Sequence, residues 1–593
     1  MTSPTLMVTS RIIAARQFPW MACLFCILLY AVLVLIGFND IEEDAFIYFR
    51  FAANIADGYG YVFNRGGEHI ESCSGLLWLG LLLLLYQLPL HIVLSTKLLC
   101  FVLGVGCIIL MYRLSHRWVA SRQLMVFPPL LMVISIPFYV WSVRGLETAL
   151  FWFSILWMLD WITSVQWRHY WAVPALAVLN SRPEGFLYVM AVLPCVFWWT
   201  RKQPAFWFNL LCVLVVTFLV TGWRLWYFHD VVPHPFYLKA NTSLRQNLQL
   251  VVQYGWFAGW PLLLALALPG MLRRWKPEQV VLASLLLMAL CWNLYVLEDK
   301  VFNRHMGILV MLLNLFCLVM LARWLPVKRM ARRAVISVLI LLCVMSLLFG
   351  RYVHFQDSHR GPFLANVAQA VGNAGEYWPR VWRLLQDPDH FETAPTLGIF
   401  TIRYNLISAV GDFVQLNYSP TAKIIYDQAG QAPWYAGNAV TFIDNLGLCD
   451  RAIGLWYFQS RIASSLLYQR YEQGLQTLLS YVAPGEQRQV SQSAILEQLV
   501  RQQVDVVIVR RPYLQNRADS LLGEFLRLPV VQQQYQARWL LNGRELVFER
   551  VTSDAPRRGQ SPRVPAGSTV QPVLSFQWCE PTRACWTVGE PLP

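Results

Sequence analysis

The stretch NDIEEDAFIYFRFAANIADGYGYVFNRGGEHIESCSG, residues 39–75, lies between two long apolar runs of the chain. The first run extends from Trp20 to Phe38 and the second begins at Leu76. The carboxylates of residues 42–44 therefore follow the end of a predicted membrane helix, where charges are costly unless they face water or a polar cavity. Residues 45–57 space their apolar side chains in a roughly helical pattern, which predicts a helix in the membrane interface.

Two interpretations of this loop stay open on its residues alone. Turn-forming residues, Asp57 to Gly60 and Arg65 to Glu68, fit a solvated loop that carries a few interfacial aromatic side chains. The same loop can also form an active site in which a carboxylate acts as a base at the membrane surface.

The overall composition indicates a polytopic membrane protein. The 593 residues are 56% hydrophobic and only 14% charged, whereas soluble proteins carry about 25% charged residues. Several apolar runs reach about 20 residues, which is the length that spans a bilayer. The net charge of +14 fits positively charged cytoplasmic loops rather than nucleic-acid binding, because many Lys and Arg residues lie between the apolar runs.

The hydropathy pattern predicts 11 membrane spans. The first run is interpreted as an uncleaved helix rather than a signal peptide, because it is long and lacks a small-residue cleavage pattern. Residues 76–113 should make one net crossing, with Pro89 dividing a re-entrant piece from a true span. An odd number of spans places the C-terminal domain outside the cytoplasm. Nine further spans are predicted: Gln123–Trp141, Glu147–Val165, Tyr170–Leu179, Gly185–Trp199, Phe206–Phe228, Val252–Leu272, Val280–Leu297, Val301–Ala322 and Ala334–Phe349.

Charged residues gather at helix ends on the same predicted face as residues 42–44. Each group alone is ordinary for a helix end, and their convergence on one face is the informative observation. The groups are Arg144 with Glu147, Arg182 with Glu184, His234 with Lys239, and Glu298 and Asp299 with Arg304 and His305.

The strings EDAFIYFRFAANIADGYGYVFNRGGEHIE and SGLLWLGLL resemble the first extracytoplasmic loop of polyprenyl-phosphate-sugar glycosyltransferases with the GT-C membrane fold. The terminal β-(1→2)-arabinofuranosyltransferase family is the nearest match. Similar motifs follow at residues 145–148 (GLET), 182–185 (RPEG) and 233–239 (PHPFYLK). Two positions depart from the family pattern: Glu43 replaces the first Asp of an Asp-Asp pair, and His234 replaces Asn.

The resemblance implies a donor sugar, arabinofuranose in this family, carried on a polyprenyl phosphate, and a glycan or glycoprotein acceptor outside the cytoplasm. Lys239 and Arg304, followed by Arg182 and His234, would bind the donor phosphate, because cations offset the charge that develops on the leaving group. Asp44, or else Glu43, would act as the general base in a single, inverting displacement. The substrate-binding candidates are Arg50, Glu68, Glu147, Glu184, His305, Trp434, Tyr435 and Asp444.

The sequence predicts no required cofactor, although two neighbouring carboxylates can also hold a divalent cation. No nucleotide-binding loop is present, which fits a donor carried on membrane lipid.

Residues 1–350 are predicted to form the membrane domain and residues 351–560 an α/β domain. Five short β-rich runs support this division: Thr396–Phe400, Ala422–Tyr426, Val504–Val509, Trp539–Leu541 and Glu545–Arg550. The segment around Trp434 and Asp444 is expected to face the membrane cavity and bind a sugar. Residues 561–593 read as a partly disordered tail rich in Pro and Ser, in which Cys579 and Cys585 can form a disulfide.

Two other function classes remain open. A transporter or flippase for lipid-linked sugars would place polar residues at mid-depth in the membrane and show an inverted repeat, and neither is clear in the sequence. A non-enzymatic assembly factor of the cell envelope would tolerate neutralisation of Asp44.

Overall fold

A computed structural model describes most of the chain. The described residues are 20–35, 41–119, 121–235, 238, 244–295, 304–324, 330, 332–344, 402–462, 491–510, 521–552, 562–565, 568–580 and 583–592. The predictions for Lys239, Glu298, Asp299 and the strand Thr396–Phe400 lie outside these residues.

The first part of the chain is a bundle of apolar helices. Helix α2 follows the first apolar helix, and its bounds nearly match the interfacial helix predicted over residues 45–57. The helices are α1 (Trp20–Leu35), α2 (Glu43–Ala56), α3 (Leu76–Tyr86), α4 (Ile92–Trp118), α5 (Phe127–Val133), α6 (Ile136–Trp141), α7 (Thr148–Ile162), α8 (Ala172–Ser181), α9 (Gly185–Thr200), α10 (Pro204–Phe228), α11 (Leu244–Phe257), α12 (Trp260–Met271), α13 (Pro277–Tyr295) and α14 (Arg304–Ala322).

Within the described residues, four helices are long and apolar enough to cross a membrane, or five if one bent pair counts as a single span. They are α4, α10, α13 and α14, and α14 is the most deeply buried of them. Five shorter apolar helices accompany them, α1, α3, α7, α8 and α9. The chain is therefore a multi-pass membrane protein, while the predicted total of 11 spans stays a prediction.

Two of the predicted spans are broken helices. The segment Gln123–Trp141 divides into α5 and α6 at Ser135, whose backbone is extended; Pro137 lies in the first turn of α6 and cannot donate a backbone hydrogen bond to the preceding turn. The segment Val252–Leu272 breaks at Gly259, where φ is +70°, and its two halves meet at 81°. Each of these predicted spans therefore consists of two helices, and the prediction that each crosses the membrane stays a prediction.

The segment 76–113, which was predicted to make one net crossing, contains two helices. Helix α3 ends at Tyr86 and α4 begins at Ile92, so the break includes Pro89, as the sequence suggested. Helix α3 has 11 residues and α4 has 27, which leaves α4 as the piece long enough to span the membrane.

The C-terminal part of the chain is an α/β domain built on one seven-stranded sheet. The strands are β1 (Lys423–Tyr426), β2 (Thr441–Asp444), β3 (Val506–Arg510), β4 (Tyr535–Leu541), β5 (Glu545–Arg550), β6 (Val570–Glu580) and β7 (Arg583–Val588), in the order β2-β1-β3-β5-β4-β6-β7. Strands β2, β1 and β3 run parallel, and the remaining pairs are antiparallel. The helices are α15 (Ile402–Asn417), α16 (Gln431–Ala436), α17 (Arg451–Ile462), α18 (Gln492–Arg501), α19 (Leu521–Arg527) and α20 (Pro529–Gln534).

The predicted disordered tail is instead part of this sheet. Strands β6 and β7 form an antiparallel hairpin that pairs with β4. Cys585 on β7 is disulfide-bonded, while the side chain of Cys579 lies outside the described residues. Alternating apolar side chains such as Phe576 and Trp586, which contact the domain core, were the signal in the sequence that favoured strands.

The sheet places its parallel strands against the membrane domain. One continuous apolar core includes residues of α2, the membrane helices and strands β1 to β3. A second core covers the opposite face of the sheet. The carboxyl ends of strands β1, β2 and β3 lie next to the loop that contains α2.

Candidate active site

The first turn of α2 gives its two predicted catalytic carboxylates different surroundings. Glu43 is buried, and its Oε1 accepts a hydrogen bond from the backbone N–H of Gly430 at 2.5 Å. Burial, together with the charge of Asp44, raises the pKa of Glu43 to about 8. Asp44 is half-buried. Glu43 is therefore engaged in the contact between the domains, and Asp44 is the more accessible of the two.

Arg50, one and a half turns further along α2, joins the loop to the α/β domain. Its guanidinium is fully buried and donates to the backbone oxygens of Phe63 (2.8 Å), Pro433 (2.6 Å) and Val440 (2.7 Å). A further hydrogen bond reaches Asn64 Oδ1 at 3.3 Å. This set of contacts favours a structural role over the predicted binding of substrate.

The two predicted sugar-binding aromatics also pack at this contact. The ring of Trp434 lies 5.9 Å from that of Phe49 and 6.5 Å from that of Phe46. The ring of Tyr435 lies 5.8 Å from that of Phe46. Both side chains are half-buried, and the ring faces that they use against α2 are not open to a sugar.

Four predicted residues from separate helices form one buried ion-pair network. Arg182 contacts Glu147 and Glu184, each at 2.5 Å. His305 Nδ1 lies 3.6 Å from Glu184 and accepts a hydrogen bond from Trp292 Nε1 at 3.2 Å. The sequence motifs that begin α7, α9 and α14 are thus brought together, as their common predicted face required.

A small cavity lies beside this network, at the ends of α7, α9, α13 and α14. Its apolar wall includes Phe151, Trp152 and Ile308. Its polar lining comprises Thr148, Arg182, Tyr188, Trp292, Arg304 and His305. Each of these polar side chains can donate a hydrogen bond, so the lining that the described residues provide suits an anionic group.

Tyr48 and Cys73 link this network to the first turn of α2. Tyr48 lies one turn after Asp44 on α2 and accepts a hydrogen bond from the backbone N–H of Gly75 at 3.0 Å. Burial and then the charge of Glu147 raise the pKa of Tyr48. The Cys73 thiol is close enough to Glu147, Glu71 and Asp44 for all three charges to act on it, so Asp44 and the ion-pair network lie in one region.

His234 and Glu68 hold the α/β domain in place. His234 is buried, and its Nε2 makes a 2.8 Å hydrogen bond with the Gly447 carbonyl. Burial lowers the pKa of His234 to about 4, so its ring is neutral at pH 7 and lacks the charge that phosphate binding would use. Glu68 accepts a hydrogen bond from the backbone N–H of Arg451, at the first residue of α17, at 2.8 Å.

Asp444, the last predicted substrate residue, closes a turn after β2. Its carboxylate accepts hydrogen bonds from the backbone N–H groups of Leu446 and Cys449, each at 2.9 Å. Burial raises the pKa of Asp444 to about 6 despite these bonds. Its two oxygens thus stabilise the loop that follows β2.

The predicted site did not include several buried charges that the structure places at these junctions. Arg224 of α10 makes a two-pronged contact with Glu71, with distances of 2.9 to 3.1 Å. Lys97 of α4 is fully buried and donates to the carbonyl of Val143, one residue before Arg144. A charged residue inside an apolar run was the available signal for both Lys97 and Arg224.

Metal binding was left open by the sequence. Over the part of the chain that the structure describes, no three His, Cys, Asp or Glu side chains are grouped so as to hold a metal ion. Whether catalysis requires a divalent cation stays a prediction.

Comparison with known proteins identifies a shared fold and does not assign this chain to a family. No family model matches the chain, and no curated protein matches it in sequence. The crystal structure of ArnT from Cupriavidus metallidurans bound to undecaprenyl phosphate aligns with a TM-score of 0.52 and 14% identity, over 90% of this chain and 98% of that one. The apo form of the same protein gives 0.50 and 13%, with the same coverage.

A third solved structure is less similar. The archaeal oligosaccharyltransferase AglB from Archaeoglobus fulgidus, in complex with an inhibitory peptide and a dolichol-phosphate, gives a TM-score of 0.47 and 12% identity over 94% of this chain and 76% of that one. That score is too low to support an argument. The likeness to ArnT, together with the apolar helices and the C-terminal sheet, shows that the chain has the GT-C type of membrane fold.

Proposed function

We propose that this protein is a glycosyltransferase that moves a sugar from a polyprenyl-phosphate donor to an acceptor hydroxyl, with Asp44 as the general base. The observation that carries the proposal is a half-buried carboxylate, Asp44, one turn of α2 before Tyr48. Tyr48 contacts Gly75, which packs against Glu147 of the network beside a cavity lined by hydrogen-bond donors. The ArnT structure with which this chain shares its fold was determined with undecaprenyl phosphate bound.

The donor phosphate would bind in the cavity between α7, α9, α13 and α14. Arg304, which lines the cavity at the start of α14, is the cation we assign to the phosphate first, followed by Arg182. The hydroxyl groups of Thr148 and Tyr188 would add neutral donors. Charge that develops on the leaving phosphate would then meet donors already held in place by the helix ends.

Asp44 would take the proton of the acceptor hydroxyl as its oxygen attacks the anomeric carbon. The bond from that carbon to the phosphate oxygen breaks in the same step, and the electron pair leaves with polyprenyl monophosphate. A single displacement of this kind inverts the anomeric centre. Glu43 is the second choice, because its carboxylate is buried and its Oε1 already accepts the hydrogen bond from the Gly430 backbone.

The proposed donor sugar is arabinofuranose. Arabinofuranose rests on the resemblance of the loop at residues 39–75 to the arabinofuranosyltransferases. The proposed location is the bacterial inner membrane, with the α/β domain outside the cytoplasm.

Single-turnover transfer from synthetic polyprenyl-phosphate-arabinofuranose tests the proposal. We expect Asp44→Asn to lower the rate by about 10²- to 10⁴-fold, the usual contribution of a general base. Glu43→Gln is the matched control, because an amide oxygen can still accept the hydrogen bond from Gly430. Full activity of Asp44→Asn would refute the role of Asp44, and donor binding without turnover by the wild type would favour a carrier.

A further inference from the structure

A row of charged side chains follows the carboxyl edge of the sheet. Asp427 comes directly after β1, and Arg510 ends the neighbouring parallel strand β3. Glu545 begins β5 and lies opposite Arg510 in the register. In the strand order, the chain after β1 continues to β2, which lies on one side of the β1–β3 pair. The next strands after β3 are β4 and β5, which lie on the other side of that pair. Ligands of α/β proteins bind in the crevice at such a reversal.

Three carboxylate oxygens of this row are buried without a hydrogen bond in the described structure. The Asp427 side chain is 2% exposed and lies 3.3 Å from Arg510, yet neither of its oxygens accepts a hydrogen bond. Glu545 Oε2 is the third such oxygen. Folded proteins rarely leave such groups without a partner, and an ordered water or a ligand commonly supplies it.

The three charged side chains of this row and that of Tyr426 interact electrostatically with one another and lie beside the loop that contains Asp44. The charges of Asp427, Arg510 and Glu545 all act on the Tyr426 hydroxyl, so the four side chains share one neighbourhood. The charge of Arg510 also acts on Glu43, the neighbour of Asp44. The Arg510 side chain is 22% exposed, which gives the group a route to solvent.

We propose that Tyr426, Asp427, Arg510 and Glu545, the edge cluster, bind the hydroxyl groups of an uncharged sugar at the end of the acceptor glycan. A sugar hydroxyl both donates and accepts hydrogen bonds, so it can satisfy carboxylates and a guanidinium at the same time. The two carboxylates disfavour an anionic sugar, and Arg510, which lies 3.3 Å from Asp427, offsets part of their attraction for a cationic one. Trp434 and Tyr435, the aromatic candidates for this task, are already packed against α2. This proposal rests on the proposed function.

Binding of methyl glycosides to the full-length protein in nanodiscs tests the edge cluster. The ligand-induced rise in the midpoint of thermal unfolding would be titrated with neutral, uronic-acid and amino-sugar glycosides. We expect neutral glycosides to stabilise the wild type, and Asp427→Asn and Glu545→Gln each to weaken that binding at least tenfold.

Asp505→Asn is the matched control. Asp505 forms an ion pair of 3.2 Å with Arg550, at the opposite edge of the same sheet. Its variant should bind neutral glycosides like the wild type. The proposal is overturned if Asp427→Asn and Glu545→Gln bind neutral glycosides as well as Asp505→Asn does, if only charged glycosides bind, or if none binds the wild type.

Turnover of the polyprenyl-phosphate donor separates this inference from the proposed function. Absence of turnover in the wild type, with glycoside binding that depends on Asp427, would refute the glycosyltransferase and retain a sugar-binding cluster. Turnover whose dependence on acceptor concentration is the same in Asp427→Asn and in the wild type would retain the enzyme and refute the cluster as its acceptor site.

Discussion

Replacing Arg50 with Met should loosen the α/β domain from the catalytic loop. The substitution keeps an extended apolar side chain and removes the donor of the Pro433 and Val440 carbonyls, which lie across the contact. The Phe63 carbonyl keeps its hydrogen bond from Asn54 Nδ2. Each buried carbonyl left without a donor costs about 1–3 kcal/mol. Two of them therefore cost at least roughly 2 kcal/mol, or about a 30-fold increase in the equilibrium constant for opening the contact.

Cys449 supplies a natural reporter of that opening. It is a free cysteine, 6% exposed, in the loop after β2, and its thiol lies beside Ser72 and Cys73 of the catalytic loop. A membrane-impermeant maleimide can reach this thiol only when the two surfaces separate. Labelling at Cys449, followed by peptide mass spectrometry, should therefore become about 30-fold faster in Arg50→Met if opening limits the reaction.

Arg65→Met is the control for loss of a positive charge from the same loop. Arg65 forms a 2.7 Å ion pair with Asp57 in which both side chains are partly exposed, and such pairs contribute about 0–1 kcal/mol. Labelling of Cys449 should change by no more than about fivefold in this variant. Equal labelling rates in Arg50→Met and Arg65→Met would refute the structural role of Arg50.

Two further predictions concern stability. The pKa of Glu43 is raised from its usual value of 4.5 to about 8, so the folded protein binds a proton that the unfolded chain releases between these values. The stabilisation of the folded protein by this proton should be complete below pH 4.5 and lost as the pH rises to about 8. The unfolding midpoint of Glu43→Gln, measured relative to that of the wild type, should therefore rise over this range. A difference between the two midpoints that does not change with pH would contradict the raised pKa of Glu43. Gly454→Ala would place a Cβ 2.1 Å from His234 Nε2 and should cost about 1–3 kcal/mol, whereas Gly80→Ala meets no atom within 4 Å and should leave the midpoint unchanged or higher. Equal unfolding midpoints for the two glycine variants would show that the contact at His234 adapts freely.

Local patterns predicted the elements of this protein well. The strand Glu545–Arg550 has the predicted bounds, and the helical spacing after Asp44 marked α2 closely. Period-2 and period-3.6 patterns report which faces are buried, and those faces decide the element type. The motifs at Glu147, Arg182 and His305 were also expected on one face, and they meet in one network.

The partners of individual side chains could not be predicted, because they depend on contacts between distant segments. Arg50 looked like a surface residue of an interfacial helix, and its acceptors are carbonyl groups that any residue carries. Glu43 and Asp44 are neighbours with the same chemistry, and only the approach of Gly430 distinguishes them. The helix breaks at Ser135 and Gly259 interrupt apolar runs, so composition alone does not predict them.

The wide separation between Arg50 and its partners has a consequence for biosynthesis. Arg50 precedes Pro433 by 383 residues, and a ribosome adding about 5–20 residues per second needs roughly 20–80 seconds to make that length. Throughout this interval the loop that contains α2 has left the ribosome while the contacts of Arg50 with Pro433 and Val440 have yet to be made. Under the proposed function, a truncated or stalled chain should therefore be unable to consume lipid-linked sugar.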